Sequence, residues 1–204
     1  VYVISNAATG RFGVYRYDFA SDEIGEPVFE HPKVDVPAIT MNGTAVESIL
    51  YEDDRPRVKW LSPDMAAIQQ SIDQALKGKD NRIVGKSPDG NVVLVWSGAA
   101  DDPGTYYVYD RRAARMNAFA APYDALLDVQ FAPVEAVEYR GRDGLTIPAY
   151  LTLPAGRPGK ALPLIVMPHG GPFIRTSWTF DPWVQFLANR GYAVLQPNFR
   201  GSTG

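Results

Sequence analysis

The sequence predicts a β-rich region followed by the opening of an α/β domain. Three observations carry this. Short strands punctuated by turn residues recur from Val1 to about residue 120. An apolar run, Leu164-Ile165-Val166-Met167, then stops abruptly at His169-Gly170-Gly171-Pro172. A helical pattern and a second apolar strand, Tyr192 to Pro197, follow it. Strand, glycine loop, helix, strand is how a parallel sheet opens. In such sheets chemistry gathers at the carboxyl ends of the strands, where His169 to Pro172 fall.

Taken in order, Val1 to Ser5 and Arg11 to Phe19 read as strands about the turn Ala8-Thr9-Gly10. Asp22 to Gly25 reads as a turn before Pro27-Val28-Phe29. Ala45 to Tyr51 and Val58 to Leu61 are strands joined by the charged loop Glu52 to Pro56. This spacing fits a sandwich, barrel or propeller. One helix interrupts. Ser62 caps it, Pro63 takes the first helical position and Asp64 complements the dipole. Met65, Ile68, Ile72 and Leu76 form one apolar stripe, Gln69, Gln70, Asp73 and Gln74 are expected to face water, and Gly78 ends the helix.

Arg82 to Gly85, Val92 to Trp96, Thr105 to Tyr109 and Met116 to Phe119 read as four more strands. Ser87 to Gly90 is a turn, Ser97 to Gly104 a loop, and Asp110-Arg111-Arg112 a turn. Four strands in roughly 40 residues is the size of one propeller blade. Ala121 to Val134 crosses to the second region, held by Leu126, Leu127, Val129 and Phe131. Val137 to Tyr139 and Leu145 to Leu153 make a hairpin whose turn ends in Asp143-Gly144. Asp181 caps a helix that Pro182 begins, with Trp183, Val184, Leu187 and Ala188 on its apolar face and Gly191 closing it.

Composition narrows the function classes. The chain has 204 residues, 46% hydrophobic, with net charge -3, so no basic stripe argues for nucleic acid. The absence of cysteine removes disulfides, thiolate catalysis and cysteine-ligated metals. His31 and His169 are too far apart in sequence to suggest a metal site, and no cofactor is expected. No apolar run has the length of a membrane span. Val1 stands inside a strand without a preceding methionine, so the chain is expected to be part of a longer one, and the missing signal pattern leaves its compartment, cytoplasmic or periplasmic, open. Incomplete sheets leave open strand edges that invite association, as in a homo-oligomer.

Arg142 to Leu145, His169 to Pro172, Gln185 to Tyr192 and Gln196 to Gly204 together resemble the prolyl oligopeptidase family of serine peptidases, nearest its acylaminoacyl-peptidase and dipeptidyl-aminopeptidase-like branch. The resemblance implies the blades of a β-propeller over residues 1–132 and the N-terminal part of an α/β-hydrolase domain over residues 133–204. It implies a peptide substrate and a serine, histidine and aspartate triad. The G-x-S-x-G elbow of such enzymes is missing: Gly85 to Asp89 fails at its last position, and Gly201 to Gly204 has the wrong spacing. The triad is therefore expected beyond Gly204, and the fragment inactive alone. What the resemblance assigns here is the oxyanion-hole loop His169, Gly170, Gly171 and Pro172, with Gly171 the favoured donor. Asn198 and Arg200 are candidates for the substrate side.

Plainer roles compete with these. His169 precedes any nucleophile, so its ring is expected to brace the loop. Arg200 is expected to pair with a carboxylate. Asp53-Asp54 and Asp101-Asp102 are expected in solvated loops, and His31 on the surface. An esterase or acyl hydrolase, or a non-catalytic propeller binding module, are the alternative functions.

Overall fold

The computed structural model describes residues 1–126, 128–171 and 173–204. Among them β-sheet predominates, with two α-helices. The first sheet is an antiparallel meander of β1 (Tyr2–Ser5), β2 (Gly13–Asp18) and β3 (Glu23–Phe29). The turn expected at Asp22 to Gly25 lies earlier. Asp22 takes a positive φ of 58° and accepts a hydrogen bond from the Tyr17 hydroxyl, which frees Glu23 onward to pair.

The second sheet orders β4 (Ala38–Asn42), β5 (Ala45–Glu52) and β6 (Pro56–Trp60). Strand β4 was not anticipated. Its signal was Asn42-Gly43: a two-residue hairpin loop, Gly43-Thr44, with Gly43 at φ 60°. Val14, Val36, Val46 and Ile49 bury together between these two sheets. His31, partly exposed in the loop after β3, stacks on Tyr51 at 5.0 Å.

Helix α1 (Pro63–Ala75) starts as its residues require: the Ser62 side chain accepts from the Met65 N–H. Met65, Ile68 and Ile72 are buried against Val93 and Val95 of the third sheet. Gln69 departs from the expectation of a solvated face. It donates to the Asn81 carbonyl at 2.9 Å and accepts from the Trp60 indole at 3.3 Å. One amide thus ties the helix to both flanking strands.

The third sheet contains β7 (Asp80–Lys86), β8 (Val92–Ala99), β9 (Asp102–Asp110) and β10 (Arg115–Ala120), in the order β10-β9-β8-β7. The loop expected over Ser97 to Gly104 is mostly strand, and Asp102 opens β9. Its two glycines serve packing rather than turning. A β-carbon on Gly98 or Gly104 would stand 2.5 or 2.4 Å from the Trp96 indole. The ring lies on the surface they leave bare.

A 3₁₀ turn at Asp124–Leu126 begins the crossing; Leu127, expected to help hold it, lies outside the described residues. The fourth sheet joins β11 (Val134–Arg140), β12 (Thr146–Thr152), β13 (Leu164–Val166) and β14 (Ala193–Pro197), in the order β11-β12-β14-β13. Strands β13 and β14 are parallel, connected through helix α2 (Pro182–Asn189). Strand β14 pairs antiparallel with β12 on its other side. The Asp181 carboxylate caps α2 by accepting from the Trp183 and Val184 N–H groups. Val184 and Ala188 face inward as expected, but Trp183 is 71% exposed. Gln185 faces inward instead. It donates to the Ala100 and Ala132 carbonyls at 3.2 and 3.0 Å and accepts from the Ala132 N–H at 2.9 Å. Satisfying three buried backbone groups outweighs burying the indole.

Candidate functional site

Parallel pairing sends the carboxyl ends of β13 and β14 out on one side, so the segments after them emerge together. The Met167 N–H still bonds the Leu195 carbonyl at 2.8 Å, after which the chain leaves the sheet. His169 Nε2 lies 2.7 Å from Ser202 Oγ, and its Nδ1 lies 2.7 Å from the Gly170 carbonyl oxygen. The imidazole stacks on Phe199 at 4.3 Å. With Nδ1 protonated toward Gly170, Nε2 accepts from the Ser202 hydroxyl. The two segments bond again where the Thr203 N–H meets the Ile174 carbonyl at 3.1 Å.

Asn198 is buried, and both its amide oxygen and its amide nitrogen are bonded. It accepts from the Thr176 N–H at 2.8 Å and donates to the Thr176 carbonyl at 3.0 Å. Arg200 is exposed and pairs with Asp143 on the β11–β12 turn. Asn198 thus holds the Thr176 backbone, while Arg200 joins the segment after β14 to the β11–β12 turn.

Gly170 and Gly171 are exposed. Gly171 has φ 126°, a conformation that side chains resist, and a β-carbon there would meet Ile174 at 3.0 Å. At Gly170 nothing lies within 4 Å of that position. Among the described residues, neither N–H donates a hydrogen bond. Pro172, the last residue of the expected loop, lies outside the described residues. The loop opens to solvent. A cavity of about 390 Å³ lies elsewhere, beneath α2, and one of about 670 Å³ lies beside β11, β12 and Arg175.

The segment after the glycines rests on the β5–β6 turn. Arg175 reaches the Glu52 and Asp53 carbonyls at 3.2 and 3.1 Å, and the Ser177 hydroxyl donates to Glu52 at 2.7 Å. Burial pushes the Tyr150 phenol up, and its hydroxyl donates to the Asp54 carbonyl at 3.1 Å. Sequence reasoning missed this junction. An arginine with no acidic neighbour in its own segment was the single available sign. Among the described residues, no group of three His, Asp or Glu side chains converges as a metal site, and no helix is long and apolar enough to cross a membrane.

Exposed, unbonded N–H groups at a strand's carboxyl end can meet an anionic oxygen. No family model matches the chain. Dipeptidyl aminopeptidase BIII of Pseudoxanthomonas mexicana is 36% identical over 166 residues, covering 78% of this chain and 24% of the relative. The acylamino-acid-releasing enzyme of Sus scrofa is 45% identical over 74 residues, 34% of this chain and 9% of the relative. The solved acylaminoacyl peptidase of Pyrococcus horikoshii superposes on 95% of this chain and 29% of its own, with TM-score 0.58 and 19% identity, a likeness of fold. The chain therefore spans about a quarter of the length of the first of these relatives.

The relatives in sequence carry peptidase and acylamino-acid-releasing enzyme names, and the solved neighbour shares the fold. The chain belongs to the prolyl oligopeptidase family.

Proposed function

We propose that this chain supplies the oxyanion-stabilising wall of a serine peptidase that cleaves short peptides by acyl-enzyme chemistry. In this reading residues 1–132 are propeller blades and residues 133–204 begin an α/β-hydrolase domain. The observation that carries it is that the exposed Gly170 and Gly171, beyond parallel strand β13, donate no N–H hydrogen bond among the described residues.

When a serine attacks the scissile carbonyl, its oxygen gains negative charge. An N–H aimed at that oxygen stabilises the transition state by about 3 kcal/mol. Glycine suits the place because no side chain crowds the approaching oxygen. His169 braces this wall rather than serving as base, since its Nδ1 faces a backbone carbonyl instead of a carboxylate. The nucleophile, aspartate and catalytic histidine lie beyond Gly204, so residues 1–204 alone do not turn over substrate. Asn198 shapes the substrate side by holding the Thr176 backbone, and Arg200 by pairing with Asp143.

The test uses the full-length protein with aminoacyl and acyl-aminoacyl anilides, matched esters, and a serine-directed phosphonate probe. Amide cleavage is expected, with the probe on a serine outside residues 1–204. Turnover of esters alone would reassign the protein to acyl hydrolysis. No turnover and no labelling would overturn the reading.

A further inference from the structure

We propose that Arg175 is a positioning residue: anchored on the β5–β6 turn, it sets where the glycine loop stands. The inference rests on the oxyanion-wall reading above. Arg175 and Glu52 have side chains only 15% and 16% exposed, with Nε 3.7 Å from Glu52 Oε1. The guanidinium also spans two consecutive carbonyls, those of Glu52 and Asp53. A planar fork can bridge both at once; a lysine ammonium is a single point of charge. Glu52 Oε2 accepts from the Ser177 hydroxyl, two residues further on, while Arg175 Nε donates to the Thr176 carbonyl at 3.4 Å.

The anchor is itself stiff. Asp53 accepts from the Arg55 N–H at 3.0 Å and from Arg57 Nε at 2.9 Å. Arg55 lies over the Trp178 ring at 4.2 Å, adding a second clasp between the same two segments. On the loop side, Ile174 precedes Arg175 directly. It packs where a Gly171 β-carbon would stand and accepts from the Thr203 N–H. Movement of the guanidinium therefore reaches Gly171 through one packed residue. Misplacing a catalytic donor by about 1 Å lowers rate on the order of 10²-fold.

The experiment compares Arg175→Met, Arg175→Lys and Glu52→Gln in the full-length protein by steady-state kinetics and by hydrogen exchange over residues 169–177. Arg175→Met is expected to lower kcat on the order of 10²-fold, with KM within about threefold of wild type. Exchange over 169–177 is expected to quicken by about tenfold or more, with Arg175→Lys restoring part of both. Glu52→Gln keeps an oxygen for Ser177 and is expected to give a smaller loss in the same direction. Wild-type kcat with unchanged exchange in Arg175→Met would overturn the proposal, as would a change confined to KM. If Arg175→Met does not fold, unchanged kcat and exchange in both Arg175→Lys and Glu52→Gln would overturn it equally. If wild type hydrolyses no amide or ester, the oxyanion-wall reading falls, while exchange still decides whether Arg175 holds the loop.

Discussion

Ser202 Oγ lies 2.7 Å from His169 Nε2, the spacing of a nucleophile and its base. The surroundings differ from a triad. The second ring nitrogen meets the Gly170 carbonyl, the ring is stacked on Phe199, and Ser202 closes a turn by donating its N–H to the Phe199 carbonyl at 2.9 Å. Here the serine fixes the ring, and the ring fixes the glycine loop.

Ser202→Ala should therefore reduce peptidase activity of the full-length protein by no more than roughly tenfold. One neutral hydrogen bond contributes about 1 kcal/mol. Loss of a true nucleophile costs on the order of 10⁶ in kcat. Steady-state kinetics separates the two, and a loss of the larger size would make Ser202 catalytic.

The two glycines should respond differently to alanine. At Gly171 the added methyl meets Ile174 at 3.0 Å under a φ of 126°, so the loop must shift. Its kcat should fall on the order of 10²-fold to 10³-fold, as when an oxyanion donor is lost. At Gly170 nothing lies within 4 Å, and thermal melting of Gly170→Ala should match wild type within about 1 °C. Equal activity in Gly171→Ala and wild type would remove Gly171 from the mechanism.

Gln185→Leu should be among the most damaging single changes in the second region. Gln185 is 3% exposed and satisfies three backbone groups, at Ala100 and Ala132. Each buried group left unpaired costs about 1–3 kcal/mol. A stability loss on the order of 3 kcal/mol is expected, read from the urea midpoint at constant m-value. A loss below about 1 kcal/mol would show that water replaces the amide.

Asp53 predicts an acid-sensitive contribution. Burial opposes its ionisation, but hydrogen bonds from Arg57 and the Arg55 N–H prevail, and its carboxyl is held at about 2 against an ordinary 3.8. The folded value lies below the unfolded one. Its stabilisation is therefore complete above about pH 4 and lost as pH falls toward 2. Solvent screening at this partly exposed position, where the side chain is 35% exposed, limits it to under about 1 kcal/mol. Asp53→Asn should melt slightly below wild type at neutral pH, and the gap should close near pH 2. A gap that widens on acidification would reverse the sign.

Local order was legible from the residues alone. Ser62 and Asp181 marked helix starts because a side-chain oxygen can only cap the N–H groups just after it. The parallel pair β13 and β14 followed from apolar runs on either side of a helical stretch. Gly98 and Gly104 were misread because glycine spaced for a turn looks the same as glycine cleared for an indole. Strand β4 escaped because its alternation is short, although Asn42-Gly43 announced the hairpin.

The chain's own order therefore determined most of the element types, the two helix caps and the double-glycine loop, all products of spacing over a few residues. The folded molecule alone decided that Gln185 turns inward while Trp183 turns out. It also decided that Arg175 meets Glu52, 123 residues away. Such partners are chosen by which sheets pack together and which buried polar groups still need a bond, and no local pattern carries that information.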